Sequence, residues 1–129
     1  MRTPRPPRPD LVAAVESLHA DLARWLGSAA PDEVFDRFAA AQHPAFTMVT
    51  TAGAVLARDE LLTGLRRARN ARPGLAIDIT EVETVVDDAT IVLRFLETHR
   101  VGATADSRRV TAVLDRDLRW RSVHETPLP

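Results

Sequence analysis

The strongest constraint on the fold is a change of hydrophobic period at Pro73-Gly74. Upstream, apolar residues recur at helical spacing, as in Leu11, Val15, Leu18, Leu22, Trp25 and Leu26. Downstream, apolar and polar residues alternate through four segments, Leu75 to Val86, Thr90 to Arg100, Arg108 to Asp115 and Leu118 to Thr126. Turn signals separate these at Asp87-Asp88, around Gly102 and at Arg116-Asp117. A helical half followed by a strand meander predicts an α+β domain in which helices cover one face of a curved, mostly antiparallel sheet.

The helical half divides into three helices and a hairpin. Asp10 is placed to cap the first helix, which ends at Gly27. Pro31-Asp32-Glu33 opens a second, with proline and two acids where missing donors and the helix dipole favour them. It carries Val34, Phe35 and Phe38 and stops near His43-Pro44. Phe46 to Thr50 reads as a strand and Ala54 to Leu56 as its return across an Ala52-Gly53 turn. Asp59 is placed to cap a third helix from Glu60 to about Asn70. The predicted order is ααββαββββ.

At 129 residues the chain is one domain, residues 10–129, preceded by a disordered Pro/Arg tail over residues 1–9. Within the tail RPPRP is compatible with a polyproline ligand, though a flexible arm is the simpler reading. With 17 basic and 18 acidic residues there is no global field to attract nucleic acid or an anionic membrane, and neither partner is expected. Absence of cysteine excludes disulfides and thiolate chemistry. Because Glu16, His19, Asp21 and Arg24 interrupt the run from Leu11 to Leu26, no signal peptide or membrane span is expected, and a cytoplasmic location is.

The segments LHADLARW (18–25), HPAFTMV (43–49), ARDELL (57–62) after the Gly53 turn, RRVT (108–111) and WRSVHET (120–126), in this order, resemble the nuclear transport factor 2-like superfamily. More narrowly they are similar to an uncharacterised bacterial subgroup of it. The superfamily's cone-shaped fold is shared with ketosteroid isomerases, polyketide cyclases and scytalone dehydratase. The resemblance implies an internal pocket between sheet and helices and a homodimer formed through the sheet, but no activity. Isomerase chemistry is not carried over: its aspartate base near the end of the first strand is matched by Thr50-Thr51, and its tyrosine donor by nothing, since the chain has no tyrosine. For the dehydratase, His99 and His124 can be placed but no aspartate falls with them.

Strand register predicts which residues meet. A two-residue loop at Arg116-Asp117 sets Val113 against Trp120, Thr111 against Ser122 and Arg109 against His124. A loop centred on Ala103 sets Leu93, Phe95 and Glu97 against Val113, Thr111 and Arg109. One face then grades from Leu93/Val113/Trp120 to a charged row of Glu97, Arg109 and His124, with Glu125 facing away; a one-residue slip would exchange His124 for Glu125. With Phe46, Met48 and Phe95 on the walls and His19 entering from the first helix, this is the expected pocket.

On a functional reading Arg109 orients a carboxylate or enolate, His124 moves a proton and Glu97 holds the arginine. The plainer alternative is a cross-strand Glu97–Arg109 ion pair beside a hydrogen-bonded histidine. The run Arg66, Arg67, Arg69 and Arg72 reads as a solvated face near a helix C-terminus. Glu97, His99 and His124 supply metal-ligand types without a recognisable motif, so neither a metal nor a cofactor is expected. Three functions stay open: a small-molecule-binding domain without defined activity, an acid/base enzyme of isomerase, cyclase or dehydratase type, and a protein-interaction or assembly domain.

Overall fold

A computed structural model describes residues 8–129. Three helices, α1 (Pro9–Gly27), α2 (Asp32–Ala40) and α3 (Arg58–Arg67), pack on a curved six-stranded sheet of β1 (Gln42–Val49), β2 (Val55–Ala57), β3 (Ala76–Asp87), β4 (Ile91–Val101), β5 (Thr104–Leu114) and β6 (Trp120–Pro127). The predicted α+β order is the observed one. The sheet runs β2-β1-β6-β5-β4-β3 and is antiparallel except where β1 lies parallel to β6.

The expected tail falls outside the described residues except for its last two. Pro9 opens α1, where its fixed φ suits the first turn and its missing N–H costs nothing. Arg8, not Asp10, is the N-cap residue; its guanidinium bridges Asp10 and Asp87 at 2.7 and 2.9 Å. Asp59 likewise lies inside α3 and does not cap it, and the Ala57 N–H donates to Glu60 Oε1 instead.

Helix α1 buries Leu11, Val15, Leu18, His19 and Trp25, the stripe that its sequence spacing dictates. Leu11, Val15 and Leu18 meet Phe46, Leu93, Phe95, Val110, Ala112 and Trp120 in the main core. A second cluster, Trp25, Ala30, Val34 and Phe35, ties α1 to α2, with Leu62 and Leu65 of α3 packed on it. The C-terminal carbonyls of α1 are satisfied from the α3–β3 loop: Trp25, Leu26 and Gly27 accept from the N–H groups of Asn70, Arg72 and Gly74, each at 2.9 Å. Gly27 is required there, since a Cβ would lie 2.9 Å from the Leu75 nitrogen.

Two local features reset the register. The β4–β5 loop has only two residues, Gly102 and Ala103, with Val101 opposite Thr104 and positive φ at Gly102, as a type II′ turn needs. Glu97 therefore opposes Arg108, and the expected Glu97–Arg109 pairing is corrected. The β5–β6 loop has three residues, Arg116 to Leu118, closed by the Asp115 N–H bond to the Arg119 carbonyl, with Leu118 at φ 63°. Beyond it a bulge at Arg121 moves Leu114–Trp120 pairing to Val113–Ser122. Trp120 thus shares the inner face with Val123 and Glu125 instead of Ser122 and His124.

Candidate functional site

The inner face of the sheet and the three helices enclose a cavity of about 140 Å³. Its wall is apolar: Leu18 and Leu22 from α1, Phe38 from α2, Phe46 and Met48 from β1, Leu61 and Leu65 from α3, Phe95, Val110, Trp120 and Val123 from the sheet. His19, Gln42, Glu97, His99, Arg108 and Glu125 supply the polar lining. The volume is close to that of an apolar protein cavity known to take benzene. Phe95, Trp120 and the His19 ring stand edge to face, with centroids 5.5 to 6.3 Å apart.

Glu97 is the centre of the polar group, only 3% exposed. His19 Nε2 lies 3.0 Å from its Oε1, and His99 Nε2 lies 2.5 Å from its Oε2. His19 Nδ1 is 2.8 Å from the Val15 carbonyl, which can only accept, so Nδ1 carries a hydrogen. Nε2 faces the Glu97 carboxylate, so both ring nitrogens of His19 meet oxygen acceptors. His99 Nδ1 faces the Arg72 guanidinium at 3.4 Å, while its Nε2 meets Glu97. Burial alone would push the Glu97 carboxyl up, but the hydrogen bonds from His19 and His99 outweigh it and hold the group well below the usual carboxylate range.

Glu125 experiences the opposite balance. Burial, and then the negative charge of Glu97, push its carboxyl above the ordinary value, opposed by Arg108. Its closest charged partner is Arg108 Nη1 at 3.8 Å, too long for a hydrogen bond. Arg108 directs Nη2 outward to Asp106 at 2.8 Å, while its Nε is buried with no hydrogen-bond partner among the described residues. One cavity thus holds two carboxyl groups with oppositely shifted acidities.

Of the residues expected to form the pocket, His19, Phe46, Met48, Phe95, Glu97 and Trp120 line this cavity. Arg109 and His124 do not, and their expected place beside Glu97 is corrected by the register. Arg109 reaches Glu81 at 3.2 Å on the outer surface, and His124 is exposed opposite Thr111. Glu125, expected to face away, faces in. Among the ionisable lining residues, sequence reasoning left out His99, Arg108 and Glu125. The first was accessible, because residues two apart on a strand share a face and Glu97 was already placed there; the other two needed the turn and the bulge. In the basic run, Arg66 stacks over Phe35 at 4.1 Å and Arg69 over Trp25 at 5.5 Å, whereas Arg72 reaches His99. Among the described residues no group of His, Cys, Asp or Glu is arranged to hold a metal ion, and no helix is long and apolar enough to cross a membrane.

A pocket between helices and an open curved sheet defines the class: by fold the chain is a nuclear transport factor 2-like protein. It is similar to a protein of unknown function from Pseudomonas aeruginosa, described as NTF-2-like, with 27% identity, a TM-score of 0.86 and coverage of 92% of this chain and 98% of that one. Aln2 from Streptomyces matches at 20% identity and TM-score 0.69, over 95% of this chain and 94% of its own. An epoxide hydrolase from Mycobacterium tuberculosis, described as LEH-like, matches at 19% and 0.60, over 92% and 83%. The last two likenesses concern the fold. No protein-family profile matches the chain, and no curated protein does.

Proposed function

We propose that the chain is a small-molecule-binding domain whose ligand occupies the cavity between α1, α3 and the inner face of β4, β5 and β6. The observation that carries this reading is an apolar cavity of about 140 Å³ whose lining includes the buried Glu97 network and the Arg108 and Glu125 side chains. A thermal-shift screen of fragments of up to about ten non-hydrogen atoms tests it, with Val123→Phe as the variant that fills the cavity. Stabilising fragments are expected for the wild type and for the outer-face control His124→Ala, and are expected to lose their effect in Val123→Phe. Fragments that stabilise all three proteins equally would remove the cavity from consideration.

A second reading, acid/base catalysis in the same cavity, is favoured by the divergent acidities of Glu97 and Glu125, a pattern that separates proton donors from fixed charges in enzyme sites. Its test is turnover of the fragments that bind: conversion in the wild type and none in Glu125→Gln supports it, and no conversion at any pH across the Glu125 titration counts against it. The reading also includes a homodimer through the face of the sheet that the helices leave uncovered, where Val92, Leu96 and Val113 stand among Arg94, Arg109 and His124. Sedimentation should give a dimer for the wild type and a monomer for Leu96→Glu; equal masses for both would remove that interface.

A further inference from the structure

Charge on the surface of this protein is unevenly matched. Residues 22–31 and 61–77 hold Arg24, Arg66, Arg67, Arg69 and Arg72 and no acidic residue. The fold brings the two stretches together: the N–H groups of Asn70, Arg72 and Gly74 cap the end of α1, and Trp25 gives its Nε1 hydrogen to the Leu65 carbonyl. Elsewhere arginines are matched to carboxylates, as in Arg37–Asp21, Arg100–Asp78 and Arg109–Glu81. None of these five arginines forms an ion pair among the described residues, not even with the exposed acids of α2, Asp32, Glu33 and Asp36.

The helix dipoles account for part of this arrangement, since Arg24 lies in the last turn of α1 and Arg66 and Arg67 in the last turn of α3. They do not account for Arg69 and Arg72, which lie beyond α3, or for the way two of the guanidiniums are held. Arg66 lies over the buried Phe35 ring at 4.1 Å and Arg69 over the buried Trp25 ring at 5.5 Å, and the two rings are 5.3 Å apart. Stacking uses the face of a guanidinium and leaves N–H groups on its edge for other partners. Arg69 gives one of these to the Ala29 carbonyl at 3.2 Å. Between α2 and α3 a shallow depression is lined by Phe35, Leu62, Thr63, Arg66 and Arg67. Thr63, Arg66 and Arg67 are three and four residues apart on α3, so a hydroxyl and two guanidiniums border the same hollow. Leu61 and Leu65 line the cavity from the opposite side of the helix.

Clustered positive charges repel, and an anion seated among them relieves the repulsion. Because the Phe35 and Trp25 rings are buried, neither offers a face on which a nucleobase could stack. Among the described residues neither stretch exposes a large apolar side chain that could enter a lipid surface. Guanidinium edges match the oxygens of a phosphate group, which carries about two negative charges at neutral pH where a carboxylate carries one. We propose that Thr63, Arg66 and Arg67, with Arg69 beside them, bind the phosphate or diphosphate group of a small molecule at a surface site separate from the cavity.

Calorimetry on the full chain at fixed ionic strength tests this with pyrophosphate, inorganic phosphate and acetate. Pyrophosphate is expected to bind roughly tenfold more tightly than phosphate, and acetate not to bind. Replacing both Arg66→Gln and Arg67→Gln should weaken pyrophosphate binding by roughly tenfold or more, while Arg100→Gln on β4 leaves it unchanged. Val123→Phe, which fills the cavity, should bind pyrophosphate as the wild type does, so that this site and the cavity reading stand or fall separately. Amide shifts that pyrophosphate induces in the wild type should centre on residues 63–69, a readout that needs no variant to fold. Absence of pyrophosphate binding, equal binding of acetate, or full affinity in the double variant overturns the proposal. Loss of binding in Val123→Phe would place the anion in the cavity and overturns it as well. So does tighter binding, per phosphate, of a short single-stranded oligonucleotide or of phosphatidylglycerol vesicles, which would make this surface a nucleic-acid or membrane contact.

Discussion

Removing His19 would leave the Glu97 carboxylate buried with one of its two hydrogen-bond partners gone. His19→Ala should therefore cost about 3 kcal/mol in urea unfolding, the scale of a broken buried pair and well above the loss of an exposed one. The pH dependence has a definite sign. The folded-state acidity of Glu97 lies below its ordinary value of 4.5, so its contribution to stability is fully present above about pH 4.5 and is lost as pH falls toward the folded value. Wild-type melting should drop in that acid range, and the Glu97→Gln curve should be flatter there. A variant curve parallel to the wild type would mean that the network carries no net proton linkage. Glu125 has the opposite sign: its raised folded value favours stability below the ordinary 4.5 and removes it as pH rises. Glu125→Gln should accordingly gain melting temperature over wild type at neutral pH and lose the advantage under acid conditions. His99 and Glu97 show how much of this site was legible: both lie two apart on β4, so alternation alone puts them on one face. The bond between Glu97 and His19 was not, because a helix side chain meets a strand only after the layers pack.

At the scale of the element, the β4–β5 turn decides which β5 residues enter the cavity. Gly102 adopts φ 58°, and a Cβ there meets no neighbour, so the penalty of substitution is conformational. Gly102→Ala should lose about 1 to 2 kcal/mol without changing which fragments bind, checked by urea unfolding and the fragment screen together. Adding one residue to this turn is a different perturbation, since it would offer β5 the other pairing, with Arg109 in and Arg108 out. The insertion variant should lose stability in urea unfolding, because Val110 and Ala112, buried to within 1% of full, would turn outward. The elements themselves were largely readable from periodicity, while the loop length was not: around Gly102, two-residue and three-residue turns are both consistent with the sequence. The Arg121 bulge left a trace, since alternation in RWRSVHET breaks at Arg121-Ser122 and Trp120 and Val123 stand three apart, but such a break fits a bulge and a change of face equally.

On the scale of the whole molecule, the cavity exists because the helices are held off and against the sheet at fixed points. One is the close approach of Gly27 to Leu75, where the α3–β3 loop donates to three carbonyls at the end of α1. Gly27→Ala should cost about 1 to 3 kcal/mol, because the atoms in the way are backbone and cannot swing aside; thermal melting that matches wild type would show that the loop yields freely. What the amino-acid sequence determined by itself was the class of fold and the apolar wall. Helical and strand periods are local properties, and the burial of Leu18, Phe46, Phe95 and Trp120 follows from them wherever such elements pack. Only the tertiary structure decided the polar lining. Whether Arg108 or Arg109, and Glu125 or His124, faces inward depends on one residue in a turn and one in a bulge. Side chains on a strand alternate, so the smallest change in pairing exchanges the chemistry of the two faces while leaving every element in place.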